Sequence, residues 1–191
     1  MRLLEERILK DGKVRPGGIL KVDGFLNHQM DIALFRQLAE HLYDVFGSDN
    51  VTKILTIEAS GIGLACIAGE VFGCPVLFAK KSKTKNIDGS VYKTSVHSYT
   101  HGNMYDVIVA KEYLLSTDRV LLVDDFLANG AALDGLCDLV RQAGATLVGA
   151  GVGVEKTFQP GGARLRADGL RIEALARVSY MDDEGNIRFE P

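Results

Sequence analysis

Apolar residues recur at helical spacing over 31–46, at Ile32, Leu34, Phe35, Leu38, Leu42, Val45 and Phe46, and Asp31 stands at the start as a cap. A β-branched and apolar run over 51–57 reads as a strand ending at Glu58. Residues 61–72 read as a helix, with Gly73 as its stop. A second strand is expected over 75–79 and an extended piece over 107–110. Val120, Leu121, Leu122 and Val123 are four consecutive apolar residues, the pattern of a strand buried on both faces. A helix over 131–143 follows, stopped by Gly144, and then a Gly-rich apolar strand over 146–154, another over 171–178 and a short one over 186–189. Strands alternating with helices predict an α/β domain with a parallel sheet covered on both faces.

One stretch breaks the alternation. Residues 80–105 are polar, basic at their start and rich in Ser, Thr, Asn and Gly. A connection this long in a compact domain is usually functional, so a flexible lid is expected there.

Composition narrows the class. Hydrophobic residues make up 47% and charged residues 25% of the 191, as in soluble globular domains. The net charge of −3 disfavours bulk nucleic-acid binding. No apolar run reaches the ~18 residues of a membrane span. The start is charged and amphipathic without the apolar core of a signal peptide, so a cytoplasmic protein is expected. Cys66, Cys74 and Cys137 are odd in number and lack metal spacing, and read as buried, reduced thiols. His28, His41, His97 and His101 show no metal spacing either.

The chemistry concentrates after the strand at 120–123. Asp124 and Asp125 close it, a loop with Ala128, Asn129 and Gly130 follows, and a helix opens at Ala131 and Ala132. A small-residue loop at a helix N-terminus offers backbone N–H groups and the positive end of the dipole to a phosphate. Two carboxylates suit vicinal hydroxyls next to that phosphate rather than a triphosphate, and the Gly-Lys-Ser/Thr of a P-loop is absent. A plain strand–turn–helix crossover with a surface acidic pair is the competing reading.

This arrangement resembles the ribose-phosphate signature of type I phosphoribosyltransferases. The resemblance implies that the acidic pair touches the ribose hydroxyls and that 128–132 cradles the 5′-phosphate of phosphoribosyl pyrophosphate. Most members carry Thr or Ser around the glycine, where this chain has Ala128, Ala131 and Ala132, so the phosphate has to rest on backbone N–H groups. The turn Glu58-Ala59-Ser60-Gly61 reads either as packing glycines or as an anion loop; the resemblance places the pyrophosphate at Ala59, Ser60 and Gly61. A dinucleotide fingerprint there is weak, because its third glycine position holds Cys66. Lys80, Lys81, Lys83 and Lys85 form the densest basic run, either a solvated loop or phosphate donors. Ser98-Tyr99 is similar to a pair in purine-enzyme lids.

Two further runs are similar to the xanthine branch of that family. One is Leu20-Lys21-Val22-Asp23 followed by Phe25-Leu26-Asn27-His28-Gln29, and the other is Glu155-Lys156-Thr157-Phe158-Gln159-Pro160-Gly161. By residue type alone, Asn27 is a helix cap or turn former, Lys156 a surface ion-pair partner or a donor to a purine 6-oxo group, and Phe158 a core anchor, favoured over a ring that stacks on the base. The resemblance assigns Leu20, Asn27 and Lys156 to the xanthine site. It implies one phosphoribosyltransferase domain over 1–191, with 1–30 and 155–191 forming a base-binding hood and 80–105 the lid. It implies transfer of ribosyl 5-phosphate to xanthine in purine salvage, Mg²⁺ bound through the substrate's pyrophosphate with no directly ligating residue assigned, and a homodimer. The alternatives are a sister enzyme for guanine, hypoxanthine or adenine, and a non-catalytic regulator that binds the sugar pyrophosphate. Neither nucleic acid nor membrane is an expected partner.

Overall fold

The computed structural model describes residues 1–82, 90–97 and 104–190. Strands β3 (Lys53–Ile57), β4 (Val76–Ser82), β7 (Arg119–Leu127), β8 (Thr146–Lys156) and β9 (Ile172–Met181) form the parallel centre of the main sheet. The centre is parallel as expected, and the sheet turns antiparallel at both edges. β10 (Ile187–Phe189) runs antiparallel to β9, and β6 (Met104–Ala110) runs antiparallel to both β4 and β5 (Val91–His97). The order is β10-β9-β8-β7-β3-β4-β6-β5. Within 80–105, therefore, the described residues are sheet: Lys80–Ser82 end β4, all of β5 lies there, and β6 begins there. The expected lid residues Lys83, Lys85, Ser98 and Tyr99 lie outside the described residues, as does His101.

Alternation along the central strands builds the two layers. Ile54, Leu121 and Val123 face a core shared with α1 (Arg2–Asp11), α2 (Ile32–Phe46) and α3 (Ile62–Phe72). Leu55, Val120, Leu122 and Val152 face a second core under α4 (Ala131–Ala143) and α5 (Pro160–Ala167). The charged N-terminal stretch is α1, which buries Leu4 and Ile8. Asp31 caps α2 by accepting from the Leu34 N–H at 3.1 Å. Gly73 (φ 66°) and Gly144 (φ 69°) end α3 and α4 in the left-handed region that glycine occupies without strain.

Two elements were not legible in the sequence pattern. A short hairpin of β1 (Lys13–Arg15) and β2 (Ile19–Lys21) leads into a π-helical turn, Asp23–Asn27. α5 begins at Pro160, after the strand expected over 146–154, where no helix was expected. The cysteine expectation also changes. Cys66 is exposed on the outer side of α3, whose buried positions are Leu64, Ala65, Ala68 and Gly69, while Cys74 and Cys137 are half-buried; all three are free thiols.

The connectivity fixes where a ligand belongs. From β3 the chain crosses through α3 to β4 on one side; from β7 it crosses through α4 and α5 to β8 and β9 on the other. β3 and β7 are neighbours, so the order reverses between them. A crevice outside the carboxyl ends of these two strands is the switch point at which open α/β sheets bind ligands.

Candidate active site

Both strands at the switch point end in candidate residues. β7 does not stop at the acidic pair: it continues to Leu127, with Phe126 paired to Val154 and Leu127 to Glu155. The carboxylates therefore stand on a rigid strand. Asp124 is only 4% exposed and Asp125 7%.

The turn after β3 closes over them. The Ser60 hydroxyl donates to Asp125 Oδ1 at 2.9 Å. A Cβ on Gly61 would lie 2.4 Å from Thr56 Oγ1 and 2.6 Å from Asp124 Oδ1, so only glycine lets the turn settle there. Asp124 Oδ1 accepts from the Asp125 backbone N–H at 3.0 Å. The peptide bond between Glu58 and Ala59 is cis. Glu58 Oε1 accepts from the Lys81 backbone N–H at 2.6 Å, tying the turn to the end of β4. Burial, and next the charge of Asp125, push the Asp124 carboxyl well above the ordinary carboxylate range; the Lys81 ammonium opposes this weakly.

The loop after β7 has the geometry of an anion cradle. Asn129 Oδ1 accepts from the Ala131 N–H at 2.9 Å, and Gly130 sits at φ 89°. The following N–H groups of the first turn of α4 have no earlier helical carbonyl to meet, and they point out of the N-terminus. Behind the loop lies α5. The Gly161 N–H donates to the Ala128 carbonyl at 3.1 Å, and the guanidinium of Arg164 spans Asp134 and the Asn129 carbonyl. A Cβ on Gly130 would come within 3.0–3.2 Å of Arg164, Leu165 and Gly161.

The N-terminal segment reaches the same place. Val22, Phe25 and Leu26 are buried and anchor the π-helical turn. At its end Asn27 Nδ2 donates to Asp125 Oδ2 at 3.1 Å. Asn27 is thus neither the cap of α2, a role Asp31 fills, nor a free turn residue. Lys156 Nζ donates to the Gly18 carbonyl at 2.9 Å and lies 5.7 Å from the centre of the Phe126 ring, next in sequence to Asp125. Burial lowers the proton affinity of its ammonium. Leu20 is buried on β2.

The structure thus joins Ser60, Asn27 and Asp125 directly, packs Gly61 over Asp124, and sets Lys156 against the hairpin that carries Leu20. Ala59 is carried on the same turn as Ser60. Phe158 is corrected: at 47% exposure it is no core anchor, because it stands at a surface turn in which the Gln159 N–H donates back to the Lys156 carbonyl. Glu155, by contrast, is buried and accepts two bonds from Arg166, at 2.5 and 2.8 Å. A Cβ on Gly162 would overlap Glu155 Oε1. Pattern reading had no signal for this clamp, since an acidic residue at a strand end looks solvated. His41 pairs with Glu173 at 2.9 Å, and His28 is exposed at the end of the π-helical turn.

A cavity of about 880 Å³ lies beside the cradle, between α4 and α5, and touches it at Asn129 and Ala131. Neither aspartate lines it. We place the site at the switch point because the convergent polar groups are there. Among the described residues no three His, Cys, Asp or Glu side chains gather into a metal cage. Two adjacent carboxylates beside an anion cradle fit a Mg²⁺ ion held largely through substrate oxygens. Among the described residues no helix is long and apolar enough to cross a membrane.

Residues 22–162 match the model of the phosphoribosyl transferase domain. The chain is 52% identical over 190 residues to a xanthine phosphoribosyltransferase of Lachnoclostridium phytofermentans, covering 99% of this chain and 98% of that one. It is 53% identical over 191 residues to one from Bifidobacterium longum, covering 99% of each. Among solved structures, an adenine phosphoribosyltransferase of Trypanosoma brucei aligns with a TM-score of 0.78 at 19% identity, over 95% of this chain and 82% of that one. One from Rhodothermus marinus aligns at 0.74 and 22% identity, over 93% and 99%. At these identities the two structures establish a shared type I phosphoribosyltransferase fold.

Proposed function

Because the chain belongs to the phosphoribosyl transferase family, we propose that it transfers the ribosyl 5-phosphate of phosphoribosyl pyrophosphate to xanthine, a purine-salvage step that gives xanthosine 5′-monophosphate and pyrophosphate. The observation that carries this reading is the convergence on Asp125. A turn suited to pyrophosphate (Ser60), a strand end suited to ribose hydroxyls, and a hood residue suited to a base (Asn27) meet at one carboxylate.

In this reading the 5′-phosphate lies on the backbone of Ala128, Asn129, Gly130, Ala131 and Ala132, and the pyrophosphate against Ala59, Ser60 and Gly61. The bond from ribose C1 to the pyrophosphate oxygen breaks as a purine ring nitrogen bonds to C1, and the nitrogen's proton leaves to solvent. Positive charge develops on the sugar between these events. Asp124 and Asp125 hold the hydroxyls, and the negative field of Asp125 favours that charge from a fixed position on β7. Burial of the pair strengthens the effect by excluding water. Lys156 donates to the 6-oxo group of the base and Asn27 to its 2-oxo group, with Leu20 against the ring. Asp124 and Asp125 would hold, through substrate oxygens, a Mg²⁺ ion whose charge would offset that of the pyrophosphate leaving group.

The hood of 1–30 and 155–191, the lid within 80–105, a homodimer and a cytoplasmic location belong to the same reading. The test is a pyrophosphate-release assay with xanthine, guanine, hypoxanthine and adenine. Xanthine should give the highest kcat/KM. A higher value for another base replaces the substrate, and no release with any base favours a non-catalytic binder.

A further inference from the structure

Asn27 and Asp125 are 98 residues apart and stand in the two halves of the site proposed to hold different substrates. Their contact has a direction. An ionised carboxylate accepts hydrogen bonds and donates none, whereas an amide head has a donating and an accepting end. Contact with Asp125 Oδ2 therefore turns Nδ2 toward the strand and the amide oxygen away from it. The other oxygen, Oδ1, takes the Ser60 hydroxyl at 2.9 Å, so the carboxylate is itself held from two sides. The turn carrying Asn27 is fixed by the buried Phe25 and Leu26. With the backbone anchored, the Asn27 side chain turns only about its own χ bonds, and the contact with Asp125 Oδ2 selects which end of the amide meets the strand.

We infer that Asp125 is a positioning residue for the base: by accepting one N–H of Asn27 it fixes the amide so that the second N–H is the group presented to the purine. This rests on the reading that Asn27 faces the base. Xanthine carries an acceptor at C2 and hypoxanthine a C–H. A donor locked toward that atom is satisfied by the first and stranded by the second, and a stranded buried donor is what makes polar discrimination large. An amide free to flip would present its oxygen as readily and discriminate less. One carboxylate then serves the sugar through its charge and the base through its inability to donate.

The test is the ratio of dissociation constants for hypoxanthine and xanthine, measured by calorimetry on the full chain with ribose 5-phosphate present. In the wild type the ratio should be large. Asp125→Ala, which leaves no acceptor, should lower it at least tenfold. Asp125→Asn can still offer a carbonyl and should restore part of it. Ser60→Ala leaves the Asn27 contact in place and should keep the ratio within about twofold, which separates orientation from general loosening. If Asp125→Ala does not fold, Asp125→Asn decides, with a drop of at least threefold expected. An unchanged ratio in the folded Asp125 variants overturns the inference. If Asn27→Ala also leaves the ratio unchanged, Asn27 does not face the base, and the underlying reading fails rather than the orientation argument alone.

Discussion

The Gly161 N–H donates to the Ala128 carbonyl at 3.1 Å, and a Cβ added to Gly161 would lie 2.4 Å from that same oxygen. The obstacle is backbone, so neither partner can swing aside. Gly161→Ala should therefore push α5 off the loop proposed to cradle the phosphate. We expect a stability loss of about 1–3 kcal/mol from overpacking and a raised KM for phosphoribosyl pyrophosphate. Gly130→Val should do the same and add the strain of φ 89°. Unchanged KM in both variants would place the phosphate elsewhere.

Asp124 offers a prediction about pH. Its folded carboxyl holds its proton more tightly than in the unfolded chain, because of burial and then the charge of Asp125. Below about pH 4 the group is protonated in both states and has no effect. As pH rises, the unfolded chain ionises first and stability falls until the folded group ionises too. Asp124→Asn removes this penalty. It should raise Tm at pH 7, and the gain should vanish near pH 4. Thermal melts across that range check it; a gain independent of pH would point to altered packing instead.

The same pair should be indispensable for turnover. Asp124→Asn with Asp125→Asn is expected to lower kcat by a thousandfold or more with the fold retained, since in the proposed mechanism both groups hold the ribose hydroxyls where charge develops. Circular dichroism establishes the fold and pyrophosphate release the rate. Near wild-type kcat would remove the central assignment.

Base recognition separates into two sites. Asn27→Ala should reduce kcat/KM for xanthine more than for hypoxanthine, which lacks the 2-oxo group. Lys156→Ala should reduce both, since both bases carry the 6-oxo acceptor, and it also frees the hairpin at Gly18. Equal losses in Asn27→Ala would make that residue purely structural.

Two stability predictions follow from buried polar groups far from any proposed substrate contact or hidden beneath one. Arg166→Ala removes the two-pronged partner of the buried Glu155 carboxylate, leaving it Arg177 at 3.7 Å, and should cost about 1–3 kcal/mol. Thr56 Oγ1 is buried and lacks a hydrogen-bond partner among the described residues. Thr56→Val keeps the shape and removes that hydroxyl, and should stabilise by about 1 kcal/mol. Urea unfolding measures both.

Several features were legible from residues alone because their causes are local. The glycines at 73 and 144 end their helices and Asp31 caps α2, each through neighbours within a few positions, while four consecutive apolar residues at Val120–Val123 by themselves mark a strand buried on both faces. The order of strand, acidic pair, small-residue loop and helix, with the two outlying runs, was enough to point to the family. What the sequence left open depends on packing between distant segments. Period-two alternation cannot say that β7 runs on to Leu127, because that depends on pairing with β8. Nor can it reveal that Phe158 stands at a surface turn, that Cys66 faces solvent, or that Glu155 is buried with Arg166. Residue type offered Asn27 as a cap or turn former; only the folded chain brings its amide to Asp125. Hydrogen bonds and ion pairs act over about 3 Å, so their partners are chosen by the three-dimensional path of the chain, which spacing along it does not record.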